Sequence, residues 1–382
     1  MYKSLLSLSV ALALGACSQE SSLASGDVAS TGTSTTSSVP SVGGQPPQPG
    51  QLTAGEWRDL DDWDFWLGLT TDPQAPLFGL ANQWGLTTEE LMEVKIHDTN
   101  GKPLADAAVD LIDGTGRVLW SARSDVQGQA FLFPDMEGSW TEPLSLDIHS
   151  GTSLITAVQP ALDGPTEVLI DGEAPDASLD LMFVVDTTGS MSDELSYLAS
   201  ELRDVITRVE GQAGQIDLRL ASVFYRDRND AYLVESVGFT RNVDVVIDDL
   251  KTRDAAGGGD WPEAVHEGLA MGIQQQAWSD DATSRLLFLI LDAPPHEQNA
   301  QEIGQHIRDA ASQGIRVIPV AASGIDKETE TLLRRMDIAT GATYTFLTND
   351  SGIGNDHVEP TVGPYQVEFL NDLLVRLITE SI

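Results

Sequence analysis

The pattern of apolar and polar positions divides the chain into folded stretches of different kinds. From about residue 91 to 170, apolar and polar residues alternate in short runs, separated by turn-forming pairs such as Asn100-Gly101 and Asp113-Gly114. This alternation is typical of strands with one buried face, and such pairs favour tight hairpin turns. It predicts a small antiparallel β-sandwich. The predicted core positions are Val94, Ile96, Val109, Leu111, Val118 and Trp120.

From about residue 178 to 382, apolar runs alternate with stretches of helical period. The runs LDLMFVV (179–185) and RLLFLIL (285–291) are typical of strands that are buried on both faces. The first run is followed by six apolar residues on one helical face: Leu195, Leu198, Leu202, Val205, Ile206 and Val209. Further helices are predicted over 243–250, 262–276, 301–313, 327–340 and 365–378. This order predicts an α/β fold with a doubly wound, mostly parallel sheet flanked by helices.

The segment from residue 51 to 90 is rich in tryptophan and aspartate. Its acids could form a calcium loop of the EF-hand kind, with ligands Asp59, Asp61, Asp62 and Asp64. Such a loop needs glycine at its sixth position, where this chain has Asp64. The aromatic residues favour a short amphipathic element that docks on a neighbouring part of the fold. They are Trp57, Trp63, Phe65 and Trp66.

The N-terminus has the features of an export signal. A short apolar run ends in LGAC at residues 14–17, and Cys17 is the only cysteine. The run is too short to span a bilayer. It resembles the signal of bacterial lipoproteins, which implies lipidation of Cys17 and, because Ser18 follows, the outer membrane. An ordinary signal peptide with an incidental cysteine is the alternative. Ser, Thr, Gly and Pro dominate residues 18–50, which predicts a disordered tether.

The charge balance limits the possible partners. The chain has 59 acidic residues against 21 Lys and Arg, which gives a net charge of −38. Such a surface repels nucleic acid and attracts cations. Solubility in a salty medium and a cation-linked function are both compatible with this charge.

Three loops carry oxygen-rich side chains where strands of the α/β region are predicted to end. The first holds Asp186, Thr188 and Ser190 in DTTGS, the second holds Asp260 and Glu263 in GGGDWPE, and the third begins with Asp292. Carboxylates and hydroxyls are hard ligands that suit Mg²⁺, Mn²⁺ or Ca²⁺. Ligands of such sheets bind at the carboxyl ends of the strands. The loops therefore predict a metal site.

This constellation resembles the von Willebrand factor type A domain and its metal-ion-dependent adhesion site. The resemblance implies one divalent ion, and a protein ligand that completes its coordination with an acidic side chain. Its matched ligands are Asp186, Thr188, Ser190, Asp260 and Asp292, with Asp193, Glu194 and Glu263 as possible secondary ligands. Asp260 stands where the family often has threonine, and the added charge affects how the ion would accept an acidic partner. Residues 91–170 resemble transthyretin-like and carboxypeptidase regulatory-like modules, which are usually structural or binding appendages.

Other functions have less support in the sequence. The Asp186–Ser190 loop could serve only as a helix cap, and acids in a first helical turn often interact with the helix dipole. The sequence has no HExxH, GxSxG or GxxxxGK motif. A hydrolase with a metal-activated water, and His296 as its base, is the alternative, as is a scaffold with a structural metal. We expect a lipid-anchored envelope protein, not an enzyme, that binds a protein ligand through a divalent cation.

Overall fold

The computed structural model of the protein describes residues 48–136, 138–161, 163–212, 216–259, 261–352 and 357–382. Its strands are β1 Thr53–Trp57, β2 Met92–His97, β3 Ala108–Ile112, β4 Val118–Arg123, β5 Gln129–Leu132, β6 Ser145–Ser150, β7 Ser153–Val158, β8 Thr166–Leu169, β9 Ser178–Asp186, β10 Asp217–Tyr225, β11 Val234–Thr240, β12 Ser284–Leu291, β13 Ile315–Ala321, β14 Tyr344–Leu347 and β15 Glu368–Phe369. Its helices are α1 Trp63–Thr70, α2 Ser192–Gln212, α3 Val243–Leu250, α4 Val265–Leu269, α5 Ala300–Gln313, α6 Lys327–Thr340 and α7 Leu370–Glu380.

The α/β region forms one large mixed sheet. In the described residues it has eight strands in the order β11-β10-β9-β12-β13-β14-β1-β15. The central strands from β10 to β14 run parallel, and β11, β1 and β15 are antiparallel to their neighbours. The apolar runs of β9 and β12 lie at the centre, where strands are covered on both faces. The predicted fold class is confirmed.

Two apolar cores cover the two faces of this sheet. Successive side chains of a strand point to opposite faces, so along β9 Met182 and Val184 enter one core while Phe183 and Val185 enter the other. The predicted apolar face of α2 is buried in the second core. The first core also takes in apolar side chains of the smaller sheets, such as Val109. The sandwich region and the main sheet therefore share buried apolar surface.

Residues 92–169 form two small sheets with the predicted alternation. The described strands are ordered β5-β2-β8 in one sheet and β4-β3-β6-β7 in the other. All pairs are antiparallel except β2 with β8, which are parallel. The prediction of a buried Val118 is wrong, since this side chain is 47% exposed. A register shift between Leu111 and Ile112 places Val118 opposite Ile112, whereas Trp120 stays opposite Leu111 and is buried.

The N-terminal segment contributes a strand to the main sheet, which the sequence did not indicate. β1 pairs with β14 and, through two residues, with β15. Glu201 of α2 holds the chain just before this strand, because its carboxylate accepts the backbone N–H groups of Gly50 (2.7 Å), Gln51 (2.9 Å) and Leu52 (3.2 Å). Trp66 of α1 docks as predicted, with its ring fully buried and its indole N–H donating to the Thr88 carbonyl at 2.9 Å.

Two helices are shorter than their apolar patterns predict. The helix predicted from residue 262 begins at Val265, because Glu263 is bridged to Pro295 and the preceding residues stay in a loop. A five-residue π-turn continues it over Ala270–Gln274. The helix predicted from residue 365 begins at Leu370, because Glu368–Phe369 pair with β1. No helix of the described ranges is long and apolar enough to cross a membrane.

Candidate metal-binding site

The candidate site lies where two neighbouring parallel strands end. β9 ends at Asp186, and β12 ends at Leu291, directly before Asp292. The carboxyl ends of parallel strands meet at one edge of a sheet, so the two aspartates lie at the same edge. Asp186 is completely buried and Asp292 nearly so. The first and third of the predicted loops therefore come together.

The first loop is folded around one oxygen of Asp186. Asp186 Oδ1 accepts the backbone N–H of Thr188 at 2.8 Å and the Thr188 hydroxyl at 2.7 Å. The hydroxyls of Thr188 and Ser190 are 3.3 Å apart. An aspartate that accepts hydrogen bonds two residues along the chain is a common turn element. Here it fixes one carboxylate oxygen in place, and it holds two hydroxyls beside the carboxylate.

The glycine loop approaches the first loop closely. The Gly189 N–H donates to the Gly257 carbonyl at 3.2 Å. Gly258 has φ +66°, which favours glycine, and a Cβ there would lie 2.7 Å from Glu263 Oε1 and 3.2 Å from Thr188 Cβ. A side chain at position 258 would therefore push the loops apart. The absence of a side chain lets Glu263 approach the first loop.

Three buried carboxyl groups share this small space. Burial, together with the Asp292 charge, raises the pKa of Asp186 to about 7. Burial raises the pKa of Asp292 to about 6. Burial and the charges of neighbouring aspartates raise the pKa of Glu263 to about 9. Each group keeps one buried oxygen without a hydrogen-bond partner among the described residues: Asp186 Oδ2, Asp292 Oδ1 and Glu263 Oε2.

These unpartnered oxygens fit a bound cation. Buried like charges disfavour ionisation of one another, and a nearby positive charge reverses that preference. Asp292, Glu263 and Ser190 line a cavity of about 410 Å³ together with the glycine loop. Carboxylates and hydroxyls are the hard ligands that Mg²⁺, Mn²⁺ and Ca²⁺ take. No three His, Cys, Asp or Glu side chains within the described ranges are arranged to hold a metal ion. A cation held by this part of the chain would therefore also need hydroxyl oxygens as ligands.

The structure describes only some of the remaining predicted site residues. Asp260 and Cys17 are outside the described residues, and so is the side chain of Asp193. Glu194 is buried, accepts a hydrogen bond from the Ser323 hydroxyl, and its charge adds to the raised pKa of Asp292. Glu194 and Glu263, predicted as secondary ligands, thus both lie close to the primary candidates.

Two features of the site were not expected. Tyr225, the last residue of β10, is buried beside Asp186, and burial and the nearby carboxylates raise its pKa well above the usual range. The ring of His296 contacts a residue of another loop as well as its own turn, since its Nε2 lies 2.8 Å from Asp227 Oδ1. Both contacts join segments that are distant in sequence, and the only available signal was the position of these residues at or just after strand ends.

The acids of the N-terminal segment do not converge on a common point. Asp59 is buried and bonds to the Arg334 guanidinium at 2.8 and 2.6 Å. Asp61 pairs with Arg58, and Asp62 caps α1 by accepting the Phe65 N–H at 3.3 Å. Three of the four acids thus have separate structural roles, and no three acids of the described residues are grouped to hold a metal ion, which argues against the calcium-loop alternative.

Part of the chain matches the model of a known protein family. Residues 180–354 match the family model of the von Willebrand factor A domain. This stretch contains the first loop, the glycine loop and Asp292.

Two curated proteins are similar over short regions. A stretch of 123 residues is 28% identical to an ariadne-like RING finger protein of Acanthamoeba polyphaga mimivirus, and covers 32% of this chain and 12% of that protein. A stretch of 140 residues is 25% identical to the alpha-protein kinase vwkA of Dictyostelium discoideum, and covers 36% of this chain and 22% of that protein. The chain thus spans less than a quarter of either relative.

Among solved structures, the pilus adhesin SpaC from Lactobacillus rhamnosus GG is similar with a TM-score of 0.36 and 11% sequence identity. The similarity covers 52% of this chain and 29% of that one.

Proposed function

We propose that the von Willebrand factor A domain of this chain binds one divalent cation and uses it to capture a protein ligand. The ligands would be Asp186, Thr188, Ser190, Asp260 and Asp292, and the cation Mg²⁺, Mn²⁺ or Ca²⁺. When bound, the cation would supply positive charge and a coordination position for an acidic side chain of the partner. The observation that carries this proposal is the group of buried carboxylates with unpartnered oxygens where β9 and β12 end.

The protein's own residues prepare the site for this role. The bonds from Thr188 hold Asp186 Oδ1 in place and leave Oδ2 without a partner. The close approach at Gly258 brings Glu263 near, so the local charge is strongly negative unless a cation or protons offset it. A bound hard cation would favour the ionised form of these groups and so offset the burial and the mutual repulsion that raise their pKa values.

The hydrolase alternative needs its candidate general base, His296, at the cavity. Such a base must come within hydrogen-bond reach of the reacting water. The ring of His296 contacts Asp227 and lines a neighbouring groove, whereas the cavity itself is lined by Ser190, Glu263 and Asp292. This geometry favours binding over hydrolysis.

We further propose that the protein is displayed from a bacterial envelope, in the outer membrane, by acyl chains on Cys17. The support is the LGAC sequence after a short apolar run, followed by a Ser- and Thr-rich segment. One or more acyl chains would then be the means of attachment, and the partner would be an envelope or surface protein.

Capture from envelope extracts tests the binding function. Immobilised full-length protein should retain specific proteins in Mg²⁺ and release them when a chelator is added. Asp186→Ala should retain none of them, while Glu210→Gln, an exposed change on α2, should behave like the wild type. Equal capture with and without chelator, or by Asp186→Ala, contradicts the proposal.

A further inference from the structure

A second cavity lies directly beside the candidate metal site. It has a volume of about 690 Å³, and Trp261 lines both it and the metal-site cavity. Its walls include Trp84, Pro294, Pro295 and Leu332. Trp261 is 48% exposed although it is a large aromatic side chain. We call this cavity the tryptophan groove.

Backbone bonds join two walls of the tryptophan groove. The Glu263 N–H donates to the Pro294 carbonyl at 2.9 Å, and Glu263 and Pro295 form an isolated parallel bridge. These contacts hold the loop that carries Trp261 against the loop that follows Asp292. Walls that are already joined lower the entropic cost of binding.

Three acids line the groove: Glu297, Asp326 and Glu328. The other polar residues of its lining are Gln298, Thr329 and His296, whose ring contacts Asp227. No Lys or Arg of the described residues lines it. Asp326 caps α6 by accepting the Thr329 N–H at 2.8 Å, and Glu328 accepts a bond from Gln83. Glu297 is exposed and makes no side-chain bond within the described part of the chain. An apolar wall with an acidic rim suits an aliphatic cation, which packs its stem on apolar surface and keeps its charge near carboxylates.

The charge of the whole protein favours the same kind of ligand. With a net charge of −38, the surface repels a partner segment that is acidic as a whole. A carboxylate can reach the metal site at lower electrostatic cost when it is flanked by positive charge. This consideration and the acidic rim both point to a basic segment.

We propose that the tryptophan groove binds a lysine or arginine side chain of the same partner segment whose carboxylate reaches the metal site. This inference rests on the proposed function and specifies the ligand. Asp292 and Pro294 are two residues apart, so the two cavities begin within about 7 Å of each other. An extended peptide rises about 3.3 Å per residue. The basic residue therefore lies within about four positions of the acid, with Trp261 between the two.

A displayed peptide library tests this directly. Each peptide carries one fixed central aspartate with five randomised positions on either side, and selection uses the full-length protein in Mg²⁺ at about 0.15 M salt. A parallel selection contains chelator. We expect Mg²⁺-dependent peptides to be enriched in Lys or Arg within four positions of the aspartate, on one side of it.

Variants of the groove then test the contact with a selected peptide. Glu297→Gln and Trp261→Ala should each weaken its binding about twofold to fivefold, as expected for exposed ionic and cation–π contacts. Glu297→Gln should leave metal affinity unchanged, and Glu210→Gln should change neither quantity.

The outcomes separate this inference from the function on which it rests. Mg²⁺-dependent peptides without a nearby basic residue, or unaffected by Glu297→Gln and Trp261→Ala, would overturn the groove proposal and leave the metal site standing. Peptides that bind equally in chelator or to Asp186→Ala would overturn the metal-dependent function itself. Failure to enrich any peptide would contradict both.

Discussion

A buried cluster between the N-terminal segment and α6 gives the sharpest prediction about stability. The Arg334 guanidinium is fully buried and donates to both carboxylate oxygens of Asp59 and to the Thr361 carbonyl at 2.7 Å. One turn further along α6, Asp337 is buried, and neither of its oxygens has a partner among the described residues. Burial, followed by the charge of Asp59, raises the pKa of Asp337 well above its usual range.

Asp59→Asn removes the closer of two ionic partners of Arg334. The other is the buried Glu330, whose Oε1 lies 3.5 Å from Arg334 Nη1. A buried charge left with no partner costs about 3–5 kcal/mol of unfolding free energy, and Glu330 keeps the loss below that range. The variant also removes the Asp59 charge, which after burial is the next cause of the raised pKa of Asp337. Its removal favours ionisation of Asp337, which would offset Arg334. We expect Asp59→Asn alone to cost less than about 3 kcal/mol at pH 8, and the double variant Asp59→Asn/Asp337→Asn to cost more than the single variant.

The single variant Asp337→Asn should change the unfolding free energy at high pH in the opposite direction. Because the folded-state pKa of Asp337 is raised, its favourable contribution is fully present below about pH 3.8 and is lost as pH rises toward the folded pKa. The wild type should therefore lose stability relative to Asp337→Asn as pH increases above about 4. At pH 8, Asp337→Asn should be at least as stable as the wild type.

Urea unfolding at pH 5 and pH 8, followed by circular dichroism, measures these differences. Asp61→Asn is the matched control, since Asp61 is 69% exposed in its pair with Arg58 and an exposed pair contributes less than about 1 kcal/mol. If Asp59→Asn costs no more than Asp61→Asn, the pair with Arg334 has little importance. If the losses of unfolding free energy in the two single variants add up to the loss in the double variant, Asp337 does not compensate for the removal of the Asp59 charge.

Three further predictions concern other parts of the chain. Labelling with a clickable fatty acid should mark the wild type and not Cys17→Ser, and equal labelling would exclude the anchor. Asp260→Thr should weaken metal binding yet strengthen metal-dependent capture of an acidic peptide, because extra anionic ligands raise affinity for a hard cation and lower the positive field that a carboxylate meets. Unchanged metal affinity in calorimetry would show that Asp260 is not an important ligand. Glu201→Gln should lower the unfolding free energy by about 1.5–3 kcal/mol, since hydrogen bonds to a charged acceptor are strong. Denaturation against Glu210→Gln checks this, and equal stabilities would contradict it.

The sequence predicted those parts of the fold that depend on local patterns. The predicted bounds of α3 and α6 agree with the structure, because both helices have a clear apolar face and α6 has Asp326 as its cap. Asp186 and Asp292 were located correctly because each follows a continuous apolar strand. Such signals are contained within a few residues and need no knowledge of distant partners.

Contacts between distant segments could not be read from the same patterns. β1 is five residues long, and its partner β14 lies almost three hundred residues away. Asp59 looked like a possible calcium ligand because nothing near it in sequence shows that Arg334 would meet it. The same holds for His296, whose partner Asp227 lies in a different loop. These pairings are set by how the layers pack.

Titration calorimetry with Mg²⁺, Mn²⁺ and Ca²⁺ tests the central claim most directly. The full-length wild type, Asp186→Ala and Glu210→Gln would be compared at about 0.15 M salt, which screens non-specific cation binding to the acidic surface. We expect one saturable site in the wild type and in Glu210→Gln, and none in Asp186→Ala. Identical titrations for the wild type and Asp186→Ala, or no saturable binding of any of the three cations to the wild type, would contradict it.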